Sequence, residues 1–239
     1  MQTLELNADV GEGGRYDERL MPLIQRANIA CGGHAGDNAS ITNSLRLTAR
    51  YGVAAGAHPS YPDRDGFGRI ETHATPDQIE AACLQQLRHF KALADFESVP
   101  VVHVKPHGAL YHRLMKDGAA ANAFMRAVTI TYGRIMIIGQ PNTALEDSAA
   151  LLGCPYSREM FADRRYEADG TLTPRTHADA LITDINESIF QVRTLNSTGY
   201  VYARTGEKIA LQADTVCVHG DHDVALSLVE HLRNLVCKS

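Results

Sequence analysis

The sequence predicts an α/β protein whose seven parallel strands close, or nearly close, into a barrel. Three observations lead there. Short apolar strands alternate with helical stretches along most of the 239 residues, an order that builds a parallel sheet. Seven strand–helix units follow one another without a linker, low-complexity tract or repeat, so one domain over 1–239 is expected. Polar residues collect late in the strands and run into glycine turns, on the face where α/β barrels carry their active sites. An open doubly wound sheet is the alternative, because local sequence does not reveal closure.

Strands are expected at 3–9, 27–31, 53–58, 101–107, 134–139, 157–161 and 214–219. Helices are expected at 17–26, 40–51, 76–95, 117–132, 142–152, 184–197 and 222–236. Side chains two apart share a face of a strand, and this parity organises the polar residues. The first strand ends in Asn7 and Asp9 and turns through Gly11-Glu12-Gly13-Gly14. The second runs into Cys31-Gly32-Gly33-His34-Ala35-Gly36-Asp37, where Asp37 is also a fitting cap for the helix that follows. The third ends at His58, which shares a face with Ala54 and Gly56, whose small size leaves room beside it. The helix at 76–95 is the clearest: Thr75-Pro76-Asp77 opens it, and Ile79, Cys83, Leu87, Phe90 and Leu93 follow at helical spacing.

The fourth strand puts His103, Lys105 and His107 on one face and Val102 and Val104 on the other. A helix-covered parallel strand is normally apolar on both faces, and three ionisable groups carry a large burial cost unless they line a polar, partly wet cavity. His103, deeper in the strand, is expected to support its neighbours. The sixth strand ends in Glu159, Phe161 and Asp163, and the last in Cys217, His219 and Asp221. Residues 200–203 and 208–212, joined around Gly206-Glu207, look like an added hairpin.

Composition is that of a globular protein, with 44% hydrophobic and 21% charged residues and a net charge of −5. No Lys/Arg run forms the basic face that nucleic acid needs. The first ten residues lack an apolar signal core and no stretch approaches a membrane span, so a cytoplasmic location is expected. The five cysteines are scattered, with no CxxC pair, and are expected to be reduced. Cys31 and Cys217 look like small packing residues.

A lone histidine is usually structural or solvated, which suits His73, His89, His112, His177, His222 and His231. His34, His58, His107 and His219 differ, because each ends a strand or opens a glycine turn. Asp163-Arg164 is either functional or a structural ion pair, and Tyr61-Pro62-Asp63 reads as turn chemistry, with Asp63 a minor candidate for function. The chain has no phosphate-loop GxxxxGK[ST], no GxGxxG after a strand, no GxSxG elbow and no HExxH. The groups present suit proton transfer, carbonyl polarisation or a divalent metal.

Seven motifs, in order, resemble one family. They are Leu6-Asn7-Ala8-Asp9-Val10-Gly11-Glu12-Gly13, Ala27-Asn28-Ile29-Ala30-Cys31-Gly32-Gly33-His34-Ala35-Gly36-Asp37, Gly56-Ala57-His58-Pro59 and Gly66-Phe67-Gly68-Arg69. Val104-Lys105-Pro106-His107-Gly108-Ala109-Leu110-Tyr111, Glu159-Met160-Phe161-Ala162-Asp163-Arg164 and Val216-Cys217-Val218-His219-Gly220-Asp221 complete the set. Together they resemble the LamB/YcsF family over nearly the whole chain. Gly33 stands where many members have an aromatic residue, and Ala8 replaces a frequent Cys.

The resemblance implies a seven-stranded β/α barrel similar to the glycoside hydrolase/deacetylase superfamily. It also implies ATP-dependent opening of 5-oxoproline to L-glutamate, with ATP as co-substrate and separate B and C subunits as partners. On this reading Asp9, Lys105, His107, Glu159 and His219 are catalytic, while Asn7, Glu12, His34, His58, Asp163, Arg164 and Asp221 bind substrate. Asp9 or Glu159 would act as general base, His107 or His219 would pass a proton to the ring nitrogen, and Lys105 and Arg164 would hold phosphate or carboxylate oxygens. A stand-alone metal-dependent amidase or deacetylase, with Asp9, His58 and His107 on the metal, is the rival enzyme. A small-acid binding module without turnover is the non-enzymatic rival.

Overall fold

The computed structural model describes residues 4–219 and 223–236. Seven parallel strands form a closed barrel: β1 (Glu5–Val10), β2 (Arg26–Ala30), β3 (Ala54–His58), β4 (Val101–Val104), β5 (Met136–Gly139), β6 (Tyr156–Phe161) and β9 (Thr215–Cys217). Closure runs through β9, which pairs with both β6 and β1, Glu5 standing opposite Thr215. The open sheet is thereby excluded. Strands β7 (Tyr200–Tyr202) and β8 (Lys208–Ala210) form the expected hairpin outside the barrel.

The helices are α1 (Asp17–Leu20), α2 (Asn38–Tyr51), α3 (Pro76–Phe96), α4 (Gly108–Lys116), α5 (Gly118–Tyr132), α6 (Ala144–Leu151), α7 (Ile185–Thr198) and α8 (Asp223–Val236). Side-chain caps open several of the longer ones. Asp37 and Ser40 form a reciprocal capping box on α2, and Thr75 and Gln78 do the same on α3 around Pro76. Asp37 therefore serves α2 as a cap. Buried Ile79, Cys83, Leu87 and Phe90 give α3 its inward stripe, which packs against α5.

Three boundaries differ from the sequence expectation. The helix expected at 17–26 is one short turn followed by a 3-10 turn at Met21–Leu23, and Arg26 already belongs to β2. Pro22 supplies no amide hydrogen, so the turn does not propagate. The fourth strand ends at Val104 rather than 107, although Lys105 and His107 still donate backbone hydrogen bonds to Ala57 and Pro59. Helix α4 was not expected: Pro106 ends the strand and His107 becomes the N-cap of a helix that carries Tyr111 and His112.

The outward faces of the strands are apolar. Leu6, Ala8, Ile29, Ala57, Val104, Met160 and Val216 are buried in the core between barrel and helices. The inward faces are polar, and their side chains meet both between neighbouring strands, as Asn7 and Asn28 do, and across the barrel, as Lys105 and Glu159 do. Among the described residues no helix is long and apolar enough to cross a membrane.

Candidate active site at the C-terminal mouth of the barrel

At the bottom of the site lies a buried polar ladder. Asn7 Nδ2 donates to Thr215 Oγ1 at 2.9 Å, and Asn28 Nδ2 donates to both Asn7 Oδ1 and Asp9 Oδ1 at 2.8 Å. His103 Nε2 donates to Asn28 Oδ1 at 2.8 Å, the supporting place expected for it. The room beside Gly56 is filled by His103 itself: a β-carbon on Gly56 would stand 2.1 Å from its Nε2. Sequence did not single out Asn28, although it shares the parity of Asp9 opposite it.

Lys105 crosses the lumen above this ladder. Its Nζ lies 2.8 Å from Glu159 Oε1, 3.0 Å from Asp9 Oδ1, 3.2 Å from Asn7 Oδ1 and 3.1 Å from Cys217 Sγ. Burial opposes the lysine charge, and Asp9 and Glu159 overcome that, holding its pKa well above the ordinary value. Burial likewise pushes Asp9 up, but His58 and Lys105 hold it well below the ordinary carboxylate value. Burial pushes the Cys217 thiol up, so it packs as a neutral neighbour of Lys105. Tyr111, on α4, is buried at the same level, and burial with Glu159 nearby raises its hydroxyl pKa.

On one wall, three histidines and two carboxylates converge. His34 Nε2 donates to Glu12 Oε1 at 2.8 Å, and the His34 and His107 rings stack with centroids 3.6 Å apart. His58 Nδ1 donates to the Lys105 carbonyl at 2.7 Å, and His107 Nε2 donates to the Phe67 carbonyl at 3.0 Å. Phe67 holds a left-handed φ of 55° to aim that carbonyl. In the neutral ring, each bond fixes the tautomer and leaves the other nitrogen with a bare lone pair. Those two nitrogens, His58 Nε2 and His107 Nδ1, face each other at 3.0 Å. Burial lowers the pKa of His34 to about 4, with Arg69 and Arg64 adding to it against the pull of Asp9. Burial also lowers His107 well below the ordinary value, with His58 and His34 adding to it.

Facing lone pairs repel unless a proton or a cation lies between them. Asp9 Oδ2 is 3.2 Å from His58 Nε2, and Glu12 Oε1 is 3.3 Å from His107 Nδ1 and 3.7 Å from His58 Nε2. A tetrahedral ion with ligands at about 2.0–2.1 Å spaces its donors about 3.3 Å apart. Glu12, His34, His58 and His107 therefore fit a divalent metal, whereas Asp9, expected in that set with His58 and His107, is 3.2 Å from His58 but groups with Cys217 and His219.

The opposite wall comes from β6, β9 and the loop after β6. His219 Nδ1 donates to Asp163 Oδ2 at 2.8 Å, and its backbone N–H reaches the same oxygen at 3.2 Å. Burial opposes the imidazolium, but Asp163 raises the His219 pKa above the ordinary value. Nε2 lies 3.4 Å from an Arg175 guanidinium nitrogen and lines the cavity. Asp163 and Arg164 do not form the ion pair considered from sequence: Arg164 turns away and donates to the Thr173 carbonyl at 2.7 Å. Asp221 lies outside the described residues.

One cavity thus gathers Asp9, Glu12, His58, Lys105, His107, Arg164 and His219, with Glu159, Asn7 and His34 directly behind them. It also includes Arg69, Tyr111, His112 and Arg175. Tyr111 went unassigned and His112 was read as structural or solvated because α4 was not foreseen, though their position one turn after His107 was the available signal. Arg175 sits in an irregular loop and carried no local signal.

The sequence pattern described as the LamB/YcsF family matches residues 4–239. A protein of Symbiobacterium thermophilum, named as the A subunit of 5-oxoprolinase, is 42% identical across 98% of this chain and 92% of its own length. One of the same name from Chloroflexus aggregans is 43% identical, across 98% of this chain and 95% of its own. The crystal structure of a lactam utilization protein from Thermus thermophilus superposes with a TM-score of 0.88 at 35% identity, covering 98% of this chain and 95% of that one.

Proposed function

The chain belongs to the LamB/YcsF family, and from that premise we propose that it is the A subunit of an ATP-dependent 5-oxoprolinase, opening 5-oxoproline to L-glutamate. The observation that carries this reading is the 42–43% identity, over 98% of the chain, to proteins named as the A subunit of 5-oxoprolinase. ATP and separate B and C subunits complete the proposal.

The chemistry explains the need for ATP. A five-membered lactam is a resonance-stabilised amide that re-forms readily. Phosphorylating its oxygen makes the ring carbon electrophilic. Water then adds, the C–N bond breaks, and a second water releases phosphate from the resulting acyl phosphate. The balance is 5-oxoproline, ATP and two waters to glutamate, ADP and phosphate. Breaking C–N rather than C–O requires a proton on nitrogen.

Asp9 suits the general base, because it lines the cavity and Lys105 and His58 keep it ionised. Glu159 is fully buried beyond Lys105 and suits a counter-charge better. His219 suits the proton donor to nitrogen: Asp163 holds its tautomer and raises its pKa. His107 Nε2 is tied to the Phe67 carbonyl and its Nδ1 faces His58 and Glu12, which suits His107 to the metal set rather than to the shuttle. Lys105 and Arg164 would hold phosphate or carboxylate oxygens. Glu12, His58 and His107 would hold a divalent metal, which when bound supplies Lewis-acid polarisation of oxygen.

The facing lone pairs of His58 and His107 also favour a second reading, a metal-dependent amidase acting alone. Glutamate release from 5-oxoproline and ATP, measured for this chain alone and with its B and C subunits, separates the two. Turnover only in the mixture is expected, with Asp9→Asn and Lys105→Ala each lowering it by about 10²–10⁴. No turnover in a folded, assembled mixture, or near-wild-type rates in both variants, would sink the proposal.

A further inference from the structure

One rung of the barrel holds Asp9 on β1, Asn28 on β2, Gly56 on β3 and His103 on β4, each in register with the next. Strand parity turns all four toward the lumen. Glycine in the third place is what joins the two ends of the rung. His103 lies across β3 where a side chain would otherwise stand, and a β-carbon on Gly56 would be 2.1 Å from its Nε2. Across that gap, Nε2 meets Asn28 Oδ1 at 2.8 Å.

Each hydrogen bond on the rung has one possible direction. Burial, with Arg26 and Lys105 adding to it, holds the His103 pKa well below the ordinary value, so the ring is neutral. Asn28 Oδ1 only accepts, which places the single ring proton on Nε2. The Asn28 amide nitrogen directs its two hydrogens to Asn7 Oδ1 and Asp9 Oδ1, both at 2.8 Å. Turned over, the amide would set its oxygen against those two acceptors and its nitrogen against the His103 N–H. Asn28 is fully buried, so its orientation is fixed from three sides.

The consequence falls on Asp9. Its Oδ1 accepts from Asn28 at 2.8 Å and from Lys105 at 3.0 Å, while Oδ2 is left beside His58 Nε2 at 3.2 Å. A lysine ammonium is a rotatable point charge that attracts either oxygen, whereas a fixed amide N–H selects one. We infer that Asn28, backed by His103 across Gly56, is a positioning residue that clamps Asp9 Oδ1. Oδ2 is then the oxygen that takes a proton from water, as the water oxygen bonds to the activated ring carbon. This deepens the 5-oxoprolinase reading, and rests on it for the reaction served.

Crystal structures of the full chain, with steady-state kinetics of the assembled enzyme, test the clamp. Asn28→Val removes the donor, and Gly56→Ala leaves every polar group in place but drives the tip of His103 off Asn28. Each is expected to turn the Asp9 carboxylate and to lower kcat about ten- to a hundredfold. KM for 5-oxoproline should stay within about twofold. Asn28→Val should cost nothing further in an Asp9→Asn background, because the two act as one unit. His103→Gln keeps an N–H donor and should retain activity, whereas His103→Leu should behave like Gly56→Ala. An Asp9 carboxylate unmoved in Asn28→Val and Gly56→Ala, or losses that add in the double variant, overturns the inference. Should Asn28→Val fail to fold, Gly56→Ala and the His103 pair decide it. The structures require no turnover. A turned Asp9 beside a wild-type mixture that releases no glutamate supports the clamp and counts against the 5-oxoprolinase reading. Glutamate release with Asp9 unmoved overturns the clamp alone.

Discussion

Lys105 is 2% exposed and bridges two carboxylates, 3.0 Å from Asp9 and 2.8 Å from Glu159. Removing it leaves both acids buried against one another. Lys105→Met is expected to cost about 3–5 kcal/mol, read by chemical denaturation. Adding Glu159→Gln should recover part of that stability and none of the activity. A Lys105→Met protein as stable as wild type would show that the triad is solvated. The histidine wall sets a second expectation. His34 has a folded pKa of about 4, below the ordinary 6.5, and His107 is shifted the same way. The unfolded chain therefore takes up protons that the folded chain refuses, so the contribution is present above pH 6.5 and falls away toward pH 4. In chelator, acidifying from pH 7 to 5 should lower unfolding free energy by about 1–2 kcal/mol for His34, and His34→Gln should lack that part. Stability that rises on acidification would contradict these burial assignments.

At the scale of elements, the junction from β4 to α4 does most to shape the site. Pro106 ends the strand, His107 caps the helix, and Gly108 turns the chain with a left-handed φ of 56°. A β-carbon on Gly108 would stand 2.4 Å from the Gly68 carbonyl oxygen, the neighbour of the Phe67 carbonyl that orients His107. Gly108→Ala therefore combines backbone strain with displacement of the 66–68 turn. A loss of about 2–3 kcal/mol is expected, together with a fall in activity, from thermal melts and the glutamate assay. By contrast, Asp37→Ala removes half of a capping box on α2, away from the cavity. It should cost about 1 kcal/mol and leave turnover of the assembled enzyme unchanged.

Across the whole molecule, the barrel inverts the usual arrangement of its class. Its lumen is crossed by Asn, His, Lys and Glu instead of branched apolar side chains, and the apolar core lies outside, between strands and helices. Charge is then divided at the mouth between a histidine–carboxylate wall and one that carries Arg164, Arg175 and His219. Divalent-metal binding to the first wall should raise the melting temperature. At a hundredfold excess over Kd the gain is about 2.7 kcal/mol, and Glu12→Gln with His107→Ala should abolish both the gain and the metal content measured after dialysis. A melting temperature indifferent to every divalent ion would indicate that a proton on His58 reconciles the two rings.

Much of this was present in the linear chain. Strand parity placed Asp9, His103, Lys105, His107 and Glu159 toward one interior, because a pleated strand alternates strictly and a helix-covered sheet tolerates ionisable groups only on the lumen side. Caps such as Thr75-Pro76 and Asp37 were legible because capping is a contact between residues three apart. Closure through β9, the pairing of His219 with Asp163 instead of Asp163 with Arg164, and the meeting of Arg175 with His219 were decided only by tertiary structure. Residues 163 and 219 are brought together by the pairing of β6 with β9, and Arg175 arrives on a loop with no periodicity to read. Local sequence determines which face a side chain takes; only the order in which strands pair determines what it meets there.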